Sequence, residues 1–160
     1  MNAYYARGMK RIPFIAVVFL AGCADAPSLS DADRILGDWV VVDFHSPKAT
    51  EDRSQLHKLA IISEGTWSEQ FQGETFEDFE YTLDPNKFPK ELNLTFTGSD
   101  GKRLTVRAIY EVLDDDRLRV CFGSPPVVRT NGKVERVESV RPTAFAPKDG
   151  PLIRYHRKTK

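Results

Sequence analysis

Apolar and polar residues alternate with period two along most of this chain. Leu92, Leu94 and Phe96 stand against Asn93, Thr95 and Thr97, and Leu118, Val120 and Phe122 stand against Arg119 and Cys121. That is the period of a strand with one face buried and one face wetted. Read this way, the spacing predicts eight strands, over 38–44, 57–63, 66–72, 76–83, 91–97, 104–113, 117–122 and 151–157. Each is rich in Val, Ile, Phe, Tyr or Thr, and turn residues separate them at 63–66, 99–102 and 114–116. The 84–89 stretch is a longer turn, since Pro85 and Pro89 cannot join a central strand. A helical turn is expected in one place. Ser30 is a suitable N-cap, Asp31 and Asp33 favour the positive end of the helix dipole, and Gly37 stops it after one or two turns.

Short strands joined by sequential hairpins predict an all-β chain. The expected architecture is an eight-stranded antiparallel up-and-down barrel, because closure removes exposed edges; a β-sandwich is the alternative. The rhythm breaks between 122 and 141. Asn131-Gly132 is a type I′ turn signal, so 127–130 should pair with 133–136 as an accessory hairpin, with an unstructured insertion as the alternative.

Composition narrows the function classes. A chain of 160 residues, 41% hydrophobic and 29% charged, has material for one core. With 23 basic and 23 acidic side chains, it lacks the charge excess that nucleic-acid binding needs. Two cysteines are too few for a disulfide framework or a four-thiolate zinc site.

The N-terminus reads as an address. Arg7, Lys10 and Arg11 precede an apolar run over 12–20, which is too short to span a bilayer and fits a signal-peptide core. The run closes on Leu20-Ala21-Gly22-Cys23, which resembles the lipobox of bacterial lipoproteins. The resemblance implies a signal peptide over 1–22, cleavage before Cys23, lipidation of its thiol, and a tether over 23–30 ahead of a barrel domain over 31–160. A Sec signal cut elsewhere is the alternative. Met9 is a second candidate start. The mature 138 residues would carry 20 basic and 23 acidic side chains, a net of −3, outside the cytoplasm in the cell membrane or outer membrane. Cys121 would then have no partner within the chain.

Two further resemblances concern the domain. Leu36-Gly37-Asp38-Trp39 is similar to the Gly-X-Trp signature of lipocalins. It implies that Trp39 closes one end of the barrel under an arginine of the last strand, where Arg154 and Arg157 are present and Arg157 is the choice. From Leu36 onward the chain also resembles an uncharacterised family of extracytoplasmic domains common in planctomycetes. The matching pieces include Tyr81-Thr82-Leu83-Asp84-Pro85, Leu118-Arg119-Val120-Cys121-Phe122 and Arg141-Pro142-Thr143-Ala144-Phe145. That family links the last two pieces briefly, so the 127–136 hairpin is a departure. The resemblance supplies a fold and no catalytic residues.

Candidate chemistry is thin. His45, His57 and His156 flank the first long loop and lie in the last strand, so two could meet in a closed barrel, yet zinc needs three or four ligands. Glu74, Glu77, Asp78 and Glu80 could hold a general acid and base, though carboxylates on a wet strand face are commoner. Asp114-Asp115-Asp116 lacks a calcium-loop continuation and reads as a turn. Cys121 reads as an unreactive thiol, buried or at the surface. No catalytic residue, metal or cofactor is expected. The expected function is that of a monomeric, non-catalytic envelope lipoprotein that meets another envelope protein. A binder of a small apolar ligand is the alternative, and a carboxylate hydrolase is the remote one. Trp39, Phe79, Tyr81, Leu94, Phe96, Tyr110, Phe122 and Tyr155 decide between the first two. If they point inward, little room remains for a ligand.

Overall fold

The computed structural model describes residues 29–46, 56, 58–98, 101–114, 116–123, 127–130, 133–136 and 139–159. The lipobox and its Cys23, Leu20, Ala21 and Gly22 lie outside them, as does His57. A short helix α1 (Asp31–Ile35) leads into ten strands. These are β1 (Gly37–His45), β2 (Leu59–Ser63), β3 (Thr66–Phe71), β4 (Glu74–Asp84), β5 (Lys90–Thr97), β6 (Arg103–Asp114), β7 (Arg117–Phe122), β8 (Val127–Thr130), β9 (Lys133–Arg136) and β10 (Leu152–Arg157).

Eight of the strands close an antiparallel barrel in the order β1-β10-β7-β6-β5-β4-β3-β2, and every pair is antiparallel. It is an up-and-down meander, and the sandwich is set aside. β8 and β9 form their own two-stranded sheet, with Val127 opposite Arg136 and Thr130 opposite Lys133. Closure is made by β1 against β10, from Trp39 opposite Arg157 to His45 opposite Leu152.

The alternation sorts the side chains. Trp39, Val41, Ile62, Trp67, Phe79, Leu92, Leu94, Tyr110, Leu118, Val120 and Tyr155 are buried in one cluster, with Tyr81, Phe96 and Phe122 packed against it. The outer face carries Asn93, Thr95, Arg107, Glu111 and Arg119, so the barrel is apolar within and polar without, the reverse of a membrane-spanning barrel. No helix among the described residues is long and apolar enough to cross a membrane.

The two ends of the barrel differ. At the floor, α1 lies across the opening with Ile35 fully buried. Ser30 and Asp33 form a reciprocal capping box, which satisfies orphan amides of the first turn. The Asp31 carboxylate accepts from Lys90 Nζ at 2.6 Å and from Tyr110 Oη at 3.0 Å, fastening the helix to β5 and β6. The turns after β2, β4 and β6 share this end, whereas the turns after β3 and β5 occupy the opposite rim.

One side of the barrel has a second wall. The chain over 139–150 runs across the outside of β5, β6 and β7 as a strap. Ser139 Oγ accepts the Arg107 amide at 2.5 Å, and Arg141 donates to the Leu92 carbonyl at 3.1 Å, to Asn93 Oδ1 at 2.6 Å and to the Ala108 carbonyl. Phe145 packs on an outer cluster of Ile109, Cys121 and Leu152. The approach is close enough at Gly123 that a Cβ there would meet the Val140 carbonyl oxygen at 2.1 Å.

Candidate functional site

The floor brings Gly37, Trp39 and Arg157 together. Arg157 lies with its guanidinium carbon 4.3 Å from the centre of the Trp39 ring. One of its terminal nitrogens donates to the Leu36 carbonyl and the other to the Arg34 carbonyl, each at 2.7 Å. These carbonyls lie at the C-terminus of α1, where the helix itself supplies no donor. Trp39 Nε1 donates to the Ile35 carbonyl at 2.7 Å. Gly37 sits at φ +123°, and a Cβ there would stand 2.7 Å from the Arg157 guanidinium. Arg154 turns outward instead and pairs with Asp43.

The interior is filled. Of the eight bulky residues singled out above, Trp39, Phe79, Leu94, Tyr110 and Tyr155 are buried, and Tyr81, Phe96 and Phe122 pack against them. Among the described residues, a partly open pocket of about 20 Å³ lies against this core, bounded by Val41, Lys58, Ala60, Glu69, Ile153 and Tyr155. That is room for about one water.

This cavity has a charged wall. Glu69 follows Trp67 by two on β3, and it stands opposite Ala60 on one side and Glu77 on the other, so it shares the inward face. Burial pushes its carboxyl above the ordinary range; Lys58 opposes the shift and Glu77 adds to it. Tyr155 is fully enclosed beside it, and burial raises its phenol well above the usual value, with the Glu69 charge adding to that. Trp67 meets Tyr155 edge to face at 6.0 Å. Its Nε1 has no hydrogen-bond partner among the described residues. Glu69 is the side chain that sequence reasoning overlooked. The signal was present: in Trp67-Ser68-Glu69-Gln70-Phe71 it holds the middle position of the apolar phase.

The acidic residues on β4 do not converge. Asp78 accepts from Ser68 Oγ at 2.5 Å, Glu80 from Arg103 at 2.6 Å, and Glu77 faces Glu69. The two described histidines do not meet either. His156 pairs with Val40 and His45 with Leu152, which sets them about 15 Å apart along the ladder. His45 instead lies 3.1 Å from Asp43. Among the described residues no group of His, Cys, Asp and Glu is arranged to hold a metal ion. Asp114 turns back onto Arg117 and the Asp116 amide, and the Arg117 hydrogen bond holds its carboxyl below the ordinary range. Cys121 is fully buried, but on the outer face beneath the strap, 3.8 Å from the Ala146 carbonyl oxygen. Burial pushes its thiol up.

The larger concavity lies outside. A groove of about 360 Å³ runs between the 87–89 turn and the strap, bounded by Phe88, Pro89, Glu91, Ile109, Arg141 and Pro142. Arg141 is committed to the barrel wall by its carbonyl, Asn93 and Glu91 contacts, so it shapes this groove rather than awaiting an anion.

No family model, curated protein or solved structure matches this chain. The functional reading therefore stands on the filled interior, the half-buried Glu69 and the outer groove.

Proposed function

We propose that this protein is a lipid-anchored envelope module of the planctomycete-type extracytoplasmic family, held by Cys23, that acts by presenting the outside of a filled, lipocalin-like barrel to a partner. The observation that carries the reading is the packed interior. Two indoles, two phenols and Phe79 occupy it, and a space of about 20 Å³ cannot admit an apolar ligand of even a few carbons. With the inside closed, recognition falls to the outer surface. The strap groove is a concave part of that surface. The polar, unconverged carboxylates of β4 support a non-catalytic role.

Two measurements test this. Metabolic labelling with a radioactive fatty acid should mark the wild type and leave Cys23→Ser unlabelled and uncut; equal label in both sinks the anchor. Titration with a medium-chain fatty acid should leave the emission of the buried Trp39 and Trp67 unmoved. A saturable spectral shift would turn the reading towards a ligand carrier.

A further inference from the structure

Five large apolar side chains are exposed among the described residues: Leu29 at 65%, Val42, Phe88 at 103%, Leu113 and Val140. Three of them, Leu29, Phe88 and Leu113, gather at the floor. Leu29 directly precedes the N-cap of α1. Phe88 tips the turn between β4 and β5, and Leu113 lies at the last rungs of β6. The ion pair of 2.6 Å between Asp31 and Lys90 ties the first residue of the helix to the foot of β5, two residues beyond Phe88. The entry point of the chain and the exposed phenylalanine are thus fixed on one rim.

The length of chain ahead of that rim says what the rim faces. Seven peptide steps separate Cys23 from Ser30, a reach of at most about 25 Å when fully extended. An acylated Cys23 keeps the floor within one tether length of the bilayer, and the opposite rim stands further off by up to the length of β5, about 23 Å. The charges near the floor are mixed. Lys87, Arg117 and Lys158 lie among Asp84, Asp114 and Asp116. Such a rim has no basic field to draw it to anionic headgroups, so the contact it can make is apolar.

We propose that the barrel docks floor-down on the bilayer that holds its anchor, with Phe88 as an interfacial wedge flanked by Leu29 and Leu113. The inference rests on the anchor reading of Cys23. Docking fixes the orientation of the domain: it turns the opposite rim and the side walls towards the aqueous space where a partner would be met, and sets the Phe88 end of the strap groove at the bilayer surface.

The test uses the full lipidated chain in vesicles of phosphatidylethanolamine and phosphatidylglycerol that contain a brominated lipid. Phe88→Trp places an indole at the wedge, and Thr97→Trp, at the far end of β5, places one on the opposite rim. Trp39 and Trp67 are buried and give a common background. The added emission of Phe88→Trp should fall by about half, since interfacial groups sit ~5–10 Å into the headgroup and acyl boundary. The added emission of Thr97→Trp should be unchanged. Molar salt should not relieve the quenching. Flotation with the vesicles but equal or absent quenching at the two positions overturns the docking and leaves the anchor standing. Quenching that vanishes in salt overturns the apolar wedge. A wild type that fails to float overturns the anchor, and the docking with it.

Discussion

Replacing Arg157 by alanine removes two hydrogen bonds and a ring contact, among others. The guanidinium donates to the Leu36 and Arg34 carbonyls, each at 2.7 Å, and covers the Trp39 ring at 4.3 Å. A hydrogen bond from a charged donor contributes about 1.5–3 kcal/mol, and the low end applies because Arg157 is partly exposed. The stack over an indole adds ~0.5–1 kcal/mol at such a site. Arg157→Ala should therefore cost about 3–4 kcal/mol, since the carbonyls that end α1 also lose their partners. Arg157→Lys should recover ~1 kcal/mol of this, because an ammonium is a point donor that cannot bridge two carbonyls and lie flat on a ring. The assay is urea denaturation followed by tryptophan emission. With a slope near ~1.5 kcal/mol per molar urea, the alanine variant should unfold about 2 M earlier than wild type. A midpoint within ~0.5 M of wild type, or full recovery by lysine, would refute the bridging account.

Three other predictions follow from the same geometry. Trp39 and Trp67 are both fully buried, so what separates them is their partners. Trp39→Phe loses the bond to Ile35 and should cost about 1–2 kcal/mol more than Trp67→Phe, which removes an indole nitrogen without a partner among the described residues; equal thermal midpoints would count against this. Glu69 has a carboxyl raised above the 4.5 of a free side chain, so the folded state holds its proton more tightly than the unfolded state, and its contribution to stability is lost as pH rises from 4.5 through the folded value. Glu69→Gln should match wild type near pH 4 and exceed it at pH 8, and a gap that is constant or reversed would refute the inward placement. Cys121, buried beneath the strap with its thiol raised, should react with a disulfide reagent orders of magnitude more slowly when folded than in urea, and equal rates would place it at the surface.

The barrel was legible because hairpin meanders repeat one simple rule. Period-two alternation located each wall strand to within two residues, and Asn131-Gly132 located β8 and β9 with their register. The floor was legible for a different reason: a Gly-X-Trp pattern with a last-strand arginine names residues that a closed sheet brings side by side. The strap was not legible. Its backbone is irregular, and its hold on the wall runs through Ser139, Arg141 and Phe145, whose partners lie 32 to 49 residues away for the first two. Cys121 shows the same limit. Alternation placed it on the face opposite Leu118 and Val120, but could not tell that this face is covered. Glu69 escaped because a carboxylate in the apolar phase was read by its chemistry instead of its position.

The seam between β1 and β10 sets an order of events. Trp39 finds Arg157 across more than a hundred residues, whereas every other wall pairing save β7 with β10 is made by a neighbour in sequence. A chain that emerges N-terminus first can lay down seven strands as an open sheet well before its last strand exists. Until Leu152–Arg157 arrives, that sheet has two bare edges, its Cys121 side lacks Leu152, and the carbonyls at the end of the helix lack the Arg157 donor. Pairings of such long separation are slow to form, and unpaired edges are what neighbouring chains seize. The vulnerable moment in the life of this protein is therefore the interval between the seventh wall strand and the eighth.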